Sequence, residues 1–222
     1  MSGYTSPSDC EICIELGGGV QPEYYAVWGV PDTGRVLRRN SRLALVPDLA
    51  PLHPNHCLLF ATSHFLSFAD FLSEDRDART AEVIEFIEEY RSQFGTVTLI
   101  EHGSTASLER DPSCVTHAHI HLFSVDAAAV LDIFRAEAGI RVSSPLGLRE
   151  VTDHAFGREY VMVGNLESMQ LAIDWAPPHR QYARSLVGRA TGLSLDSTWS
   201  DKCLNPSIVR ASLADWGAAD DR

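Results

Sequence analysis

Residues 116–123 read Thr-His-Ala-His-Ile-His-Leu-Phe, so His117, His119 and His121 alternate with Ala118 and Ile120. A strand repeats every two residues, which would project all three imidazoles from one face. Three of the nine histidines of the chain then crowd a surface about two strand steps long. A packed core has no need of such a cluster. Its two physical uses are metal coordination and proton or phosphoryl chemistry. A second reactive pair stands near the start: Cys10 and Cys13 form C-x-x-C, the spacing of a zinc knuckle or of a redox pair. A knuckle supplies two ligands, so a metal there needs two more.

The elements that must position these groups can be read from spacing and turn signals. The predicted strands are 24–30, 42–46, 57–62 and 97–100, followed by the histidine strand. The Pro-rich stretch 47–56 connects the second and third. Val83, Phe86, Ile87, Tyr90 and Phe94 follow a three-four spacing and predict a helix over 74–94, stopped by Gly95. Glu101 begins a loop that runs to Ser113. Asp126 can cap a helix over 127–138. A strand pair over 160–163 and 169–173, a helix over 180–190 and a last one over 207–216 complete the pattern. Hairpin-length connections dominate, which predicts an α+β fold with an antiparallel sheet and flanking helices. His53 and His102 are expected in exposed loops.

Bulk properties narrow the function. The chain has 222 residues, 45% of them hydrophobic, with a formal charge of −12 and a pI near 5.1. That field repels nucleic-acid backbones and anionic membranes but leaves room for a local site for a small anion. No run of about 18 apolar residues predicts a membrane helix, and the first residues lack the basic and apolar segments of a secretory signal. A cytoplasmic protein is expected. Five cysteines, an odd number, argue against a disulfide framework there.

A three-histidine metal centre suits the chain poorly. A barrel hydrolase would need a parallel sheet and more residues, and a cupin-like site would need a glutamate just beyond the histidines, where only Asp126 stands. The stretch His117-Ala-His-Ile-His-Leu-Phe123 instead resembles the His-φ-His-φ-His-φ-φ signature of the histidine triad (HIT) superfamily, with φ apolar. Upstream, Ala44-Leu-Val-Pro-Asp48 resembles the family's strand and turn with an acidic residue for the ribose. Pro54-Asn-His56-Cys-Leu-Leu-Phe-Ala-Thr-Ser-His64 resembles its P-G-H-x-L stretch with a second histidine, and Glu101-His-Gly-Ser104 its acidic-glycine turn. The resemblance spans about residues 10–125. It departs from the pattern at Asn55, where the family usually has glycine, at Cys114, where some members place a phosphate-contacting serine, and in the length of the loop before the triad.

The resemblance implies a HIT-like catalytic core over 1–125 and a C-terminal α/β extension over 126–222 packed on it. It implies that His119 attacks the α-phosphorus of a nucleoside 5′-phosphate derivative to form a nucleotidyl-histidine. His121 would donate to phosphate oxygen or to the leaving group, and His56 would stand behind it. Asp48 would take the ribose hydroxyls, and N–H groups around Cys114 would hold phosphate oxygens. Several members join an N-terminal C-x-x-C to the second upstream histidine and the first triad histidine. Here that set is Cys10, Cys13, His64 and His117 around a structural Zn2+. Gln181-Tyr-Ala-Arg184 resembles a Q-x-x-R helix of longer members, such as dinucleoside polyphosphate phosphorylases, and could bind phosphate. A surface salt bridge is the other use of Arg184. The expected activity is hydrolysis of a dinucleoside polyphosphate, nucleotidyl ester or phosphoramidate. The alternatives are nucleotidyl transfer or phosphorolysis by the same intermediate, or non-catalytic nucleotide binding. Retention of His121 leans toward hydrolysis, because galactose-1-phosphate uridylyltransferases resemble this motif with glutamine there. The resemblance also implies a homodimer.

Overall fold

The computed structural model describes residues 10–17, 35–105, 117–178, 181–193 and 206–220. The strand expected over 24–30 and Cys114 lie outside them. Among the described residues the order is α1 (Glu11–Leu16), β1 (Arg38–Arg39), β2 (Leu43–Pro47), β3 (Cys57–Ala61), α2 (Phe68–Ser73), α3 (Arg76–Phe94), β4 (Thr98–Gly103) and β5 (His119–Phe123). Then come α4 (Ala127–Ala138), α5 (Leu148–Ala155), β6 (Tyr160–Asn165), β7 (Ser168–Ile173), α6 (Tyr182–Thr191) and α7 (Pro206–Asp220). The seven strands form one sheet in the order β1-β2-β3-β5-β4-β6-β7, and every neighbouring pair is antiparallel. The fold is α+β. No described helix is long and apolar enough to cross a membrane.

The two faces of the sheet have different duties. Leu43, Leu45, Leu59, Leu99, Ile120, Leu122 and Met162 point to one side, where Phe71, Val83, Phe86, Tyr90 and Val151 from α2, α3 and α5 seal a large core. The alternation that aims those residues aims Ala44, Val46, Leu58, Phe60, His119, His121, Ile100 and Val161 to the other side. There α1 covers one flank through Ile12 and Leu16. On the other flank α4 and α6 bury Val130, Phe134, Leu186 and Val187 against Ile100, Val161 and Val163. The histidines stand between these two covers.

Several elements differ from expectation. β4 runs on through Glu101, His102 and Gly103 instead of ending at Ile100. Glu101 is buried on the large-core side, where its carboxyl group accepts the Phe68 N–H and the Tyr160 hydroxyl, both at 2.6 Å. It therefore anchors the start of α2 and does not form a turn. A glycine at 103 is required because a Cβ there would lie 2.2 Å from the Tyr160 ring. His102, half-buried, falls on the histidine face by strand alternation rather than in a loop. Helices α2 and α5, each of eight residues or fewer, have too short a period to stand out in sequence. The segment after residue 125 adds β6 and β7 directly beside β4, so one sheet runs through the chain on both sides of that point.

Candidate active site and metal centre

The strand-histidine half of the site begins with backbone register. His119 and His121 lie in the paired part of β5, opposite Phe60 and Leu58 of β3. His117 and Ala118 precede it, and the Ala118 N–H bonds to Phe65 O at 2.7 Å. The triad thus divides: two rings share the strand face, and the His117 ring turns toward the N-terminal segment.

The partners of each ring fix its proton. His119 Nδ1 lies 2.8 Å from the carbonyl of His117, which can only accept, so Nδ1 carries the hydrogen and Nε2 keeps a lone pair. Burial lowers the His119 pKa against the pull of that carbonyl and of Asp48, so the ring is neutral at pH 7. At His56, the Leu52 N–H points at Nδ1 from 3.4 Å, which leaves Nε2 as the protonated nitrogen. His56 Nε2 then donates to His121 Nδ1 at 3.0 Å, and the remaining hydrogen of His121 sits on Nε2. Stacking of His56 on Phe123, with centroids 4.0 Å apart, holds the pair in plane. Burial drives His56 down to about 3 and His121 well below its ordinary value.

Behind this pair lies Asp48, 4% exposed. Its Oδ1 accepts the Ala50 N–H at 2.7 Å and lies 3.4 Å from Arg184 Nη1, and its Oδ2 lies 3.6 Å from His56 Nε2. Burial opposes its ionisation, but His56, Arg184, the Ala50 N–H and Arg35 together hold its pKa below the usual range. Asp48 is therefore ionised and His56 neutral, with the counter-charge supplied by Arg184. The carboxylate is engaged inward. Asp48, His56 and His121 could by distance hold a cation, but the guanidinium already occupies that role. Arg184 sits on α6, buried, so its ion pair is internal rather than a surface one. Gln181 does not share a helix face with it: Gln181 precedes α6 in a left-handed conformation, φ 51 and ψ 46. Asn55 has φ 65, which explains how it stands where glycine is usual, since asparagine tolerates this region.

The second half of the site is a group of four donors. Cys10 Sγ and Cys13 Sγ each lie 3.5 Å from His117 Nδ1, and Cys13 Sγ lies 3.4 Å from His64 Nδ1. All four donor atoms fall within 4.8 Å of one another. A tetrahedral ion bonded to sulfur at about 2.3 Å and to nitrogen at about 2.0–2.1 Å separates such donors by about 3.6 Å. The tautomer fits as well. His117 Nε2 donates to Ala61 O at 2.6 Å, which leaves Nδ1 unprotonated and aimed at the sulfurs. Burial and the neighbouring Cys10 push the Cys13 thiol up to about 12, and a bound dication is what would deprotonate it. The group can hold a metal ion.

The position of His102 carries a signal in sequence once β4 is extended by one alternation past Ile100. Arg35, buried and bonded to Glu15 of α1 at 2.8 Å and to the Pro47 carbonyl, ties the metal-side helix to the strand that leads to Asp48. No local pattern marks it.

No family model matches the chain, and no curated protein does. Several solved structures are similar to it over part of its length, three of them as follows. A histidine triad protein from Clostridium difficile is 20% identical over 54% of this chain and 92% of that one, with a TM-score of 0.38. A hypothetical histidine triad nucleotide-binding protein from Sulfolobus tokodaii is 18% identical over 51% and 67%, with a TM-score of 0.36. A HIT-like protein involved in cell-cycle regulation from Bartonella henselae is 16% identical over 40% and 65%, with a TM-score of 0.32. Each of these three is described as a histidine triad or HIT-like protein and is matched over about half of this chain or less.

Proposed function

We propose that this chain is a histidine triad enzyme that hydrolyses a nucleoside 5′-phosphate derivative through a covalent nucleotidyl-His119. The observation that carries this is the arrangement of the two strand histidines. His119 offers a neutral Nε2 lone pair fixed by a backbone carbonyl, and beside it His121 offers an Nε2–H fixed by His56. One is a nucleophile in its reactive form and the other a donor for the charge that develops on phosphate oxygen.

In the first step the His119 Nε2 lone pair forms a bond to the α-phosphorus, and the bond from phosphorus to the leaving group breaks with its electron pair. The positive charge that appears on the imidazole is delocalised to Nδ1, whose hydrogen the His117 carbonyl holds. His121 Nε2–H bonds to a non-bridging oxygen throughout. In the second step water attacks phosphorus, the P–Nε2 bond breaks toward His119, and the proton of the water leaves to solvent. Replacement of that water by phosphate or another acceptor would give phosphorolysis or transfer.

Cys10, Cys13, His64 and His117 would hold a structural zinc. With four protein ligands it keeps no position for water, so its service is to fix the His117 backbone whose carbonyl orients His119. The test is a quench of the protein with labelled nucleotides. An acid-labile adduct on His119 that water clears is expected, and His119→Ala should lower turnover by about 10³-fold or more. Near-normal turnover by that variant would refute the nucleophile.

A further inference from the structure

The buried Arg184–Asp48 pair reaches the catalytic histidines from a part of the chain that follows the triad by some sixty residues. Both side chains are at most 6% exposed. The groups around the His56–His121 pair are Asp48 from the end of β2, Arg184 from α6, His119 from β5 and His53 from the loop before β3. Arg35 and Cys57 also interact electrostatically with Asp48. With both rings neutral, the charge of Asp48 is opposed by that of Arg184. The site for an added proton is His56 Nδ1, which already faces the Leu52 N–H, a donor that repels it.

We propose that Arg184 is a specificity-determining positioning residue: by neutralising Asp48 it keeps the His56–His121 pair without a spare proton, so the site cleaves nucleotides whose leaving group departs as a stable anion. The inference rests on the nucleotidyl-His119 reading. His121 can lend a hydrogen bond, but to surrender its Nε2 proton it would need a replacement at Nδ1 from His56, which has none to spare. A phosphoric anhydride needs no proton, since the P–O bond breaks and the electron pair leaves on a terminal phosphate. An amine or alkoxide does need one, because its nitrogen or oxygen leaves as a strong base. The substrate class is therefore nucleoside and dinucleoside polyphosphates rather than phosphoramidates or alkyl esters. An unbalanced Asp48 would reverse this by drawing a proton onto the histidines.

The test uses the full chain, purified without chelators and labelled with ¹⁵N-histidine, in an NMR titration. In the native protein the His56 and His121 rings should remain neutral from pH 8 to about pH 5. Arg184→Met should raise their titration by at least about one pH unit, a tenfold change in proton affinity. Arg184→Lys, which keeps the charge, and the double variant Asp48→Asn/Arg184→Met should both leave the His56 and His121 titration as in the native protein. In parallel, the native protein should cleave diadenosine polyphosphate at least about 10²-fold faster than adenosine 5′-phosphoramidate, and Arg184→Met should narrow that ratio by about tenfold. If Arg184→Met does not fold while the double variant does, Asp48's unbalanced charge is identified as the cause, which supports the proposal. Unchanged histidine titration in Arg184→Met, or a double variant whose histidine titration is raised as much as in the single one, overturns it. Absence of any His119 adduct refutes the nucleotide reading instead, and the NMR result stands apart from it.

Discussion

Glu101 lets the balance of burial against hydrogen bonding be measured. Burial pushes its carboxyl up to about 8 from an ordinary 4.5, against the hydrogen bonds from Tyr160 and the Phe68 N–H that favour the charged form. Between those values the folded protein binds one proton more than the unfolded chain. The stability this group lends is then complete below pH 4.5 and is lost as the pH rises through about 8. At about 1.4 kcal/mol per pH unit the loss amounts to roughly 3–5 kcal/mol, a large part of the roughly 5–15 kcal/mol that holds a domain folded. Glu101→Gln keeps an acceptor for the Phe68 N–H and cannot ionise. Urea unfolding from pH 4.5 to 8.5 should show native stability falling relative to the variant by that amount. The buried histidines act in the opposite sense: burial lowers His56, His117, His119 and His121, so their contribution is present above 6.5 and lost as pH falls. They are common to both proteins and cancel in the difference. Parallel stability profiles for the two proteins would refute the reasoning.

Three further outcomes are expected. Protein made without chelators should contain about one zinc per chain by metal analysis, and Cys10→Ser should lower both that content and the Tm; a metal-free native protein would remove the site. His56→Phe preserves the stacking on Phe123 but removes the donor to His121. Its kcat should fall about 10²-fold with KM little changed, and an unchanged kcat would show that His121 needs no partner. Gly103→Ala drives a Cβ into the Tyr160 ring and should cost about 1–3 kcal/mol in denaturant unfolding, whereas a neutral effect would mean that the ring has room to move.

What the sequence discloses depends on how local the cause is. The alternation of His119 and His121 and the three-four spacing of Val83, Phe86, Ile87 and Tyr90 are local, and both are legible. The true end of β4 is not. Glu101 and His102 look like loop residues because the partners that make them strand residues are distant: Tyr160 is 59 positions from Glu101. Gln181 misleads for a related reason. Three positions before Arg184 predicts a shared helix face, but the helix begins one residue later, after a left-handed turn. The inward engagement of Asp48 is equally hidden, since a carboxylate before Leu-Ala-Pro reads the same whether it faces a ribose or an arginine from α6.

His117 shows how the four-donor group and the proposed nucleophile share one strand without conflict. Its ring leaves toward Cys10, Cys13 and His64, whereas its carbonyl stays behind and accepts the His119 Nδ1 hydrogen at 2.8 Å. Ring and carbonyl belong to one residue, so whatever fixes the first fixes the second. Two further bonds hold the residue: Nε2 to the Ala61 carbonyl, and the next N–H, that of Ala118, to Phe65. The tautomer of His119 is therefore set by a peptide group restrained from three directions, only one of which is the four-donor group. Loss of a ligand there should loosen the orientation of His119 before it disturbs the sheet, whose large core lies on the opposite face.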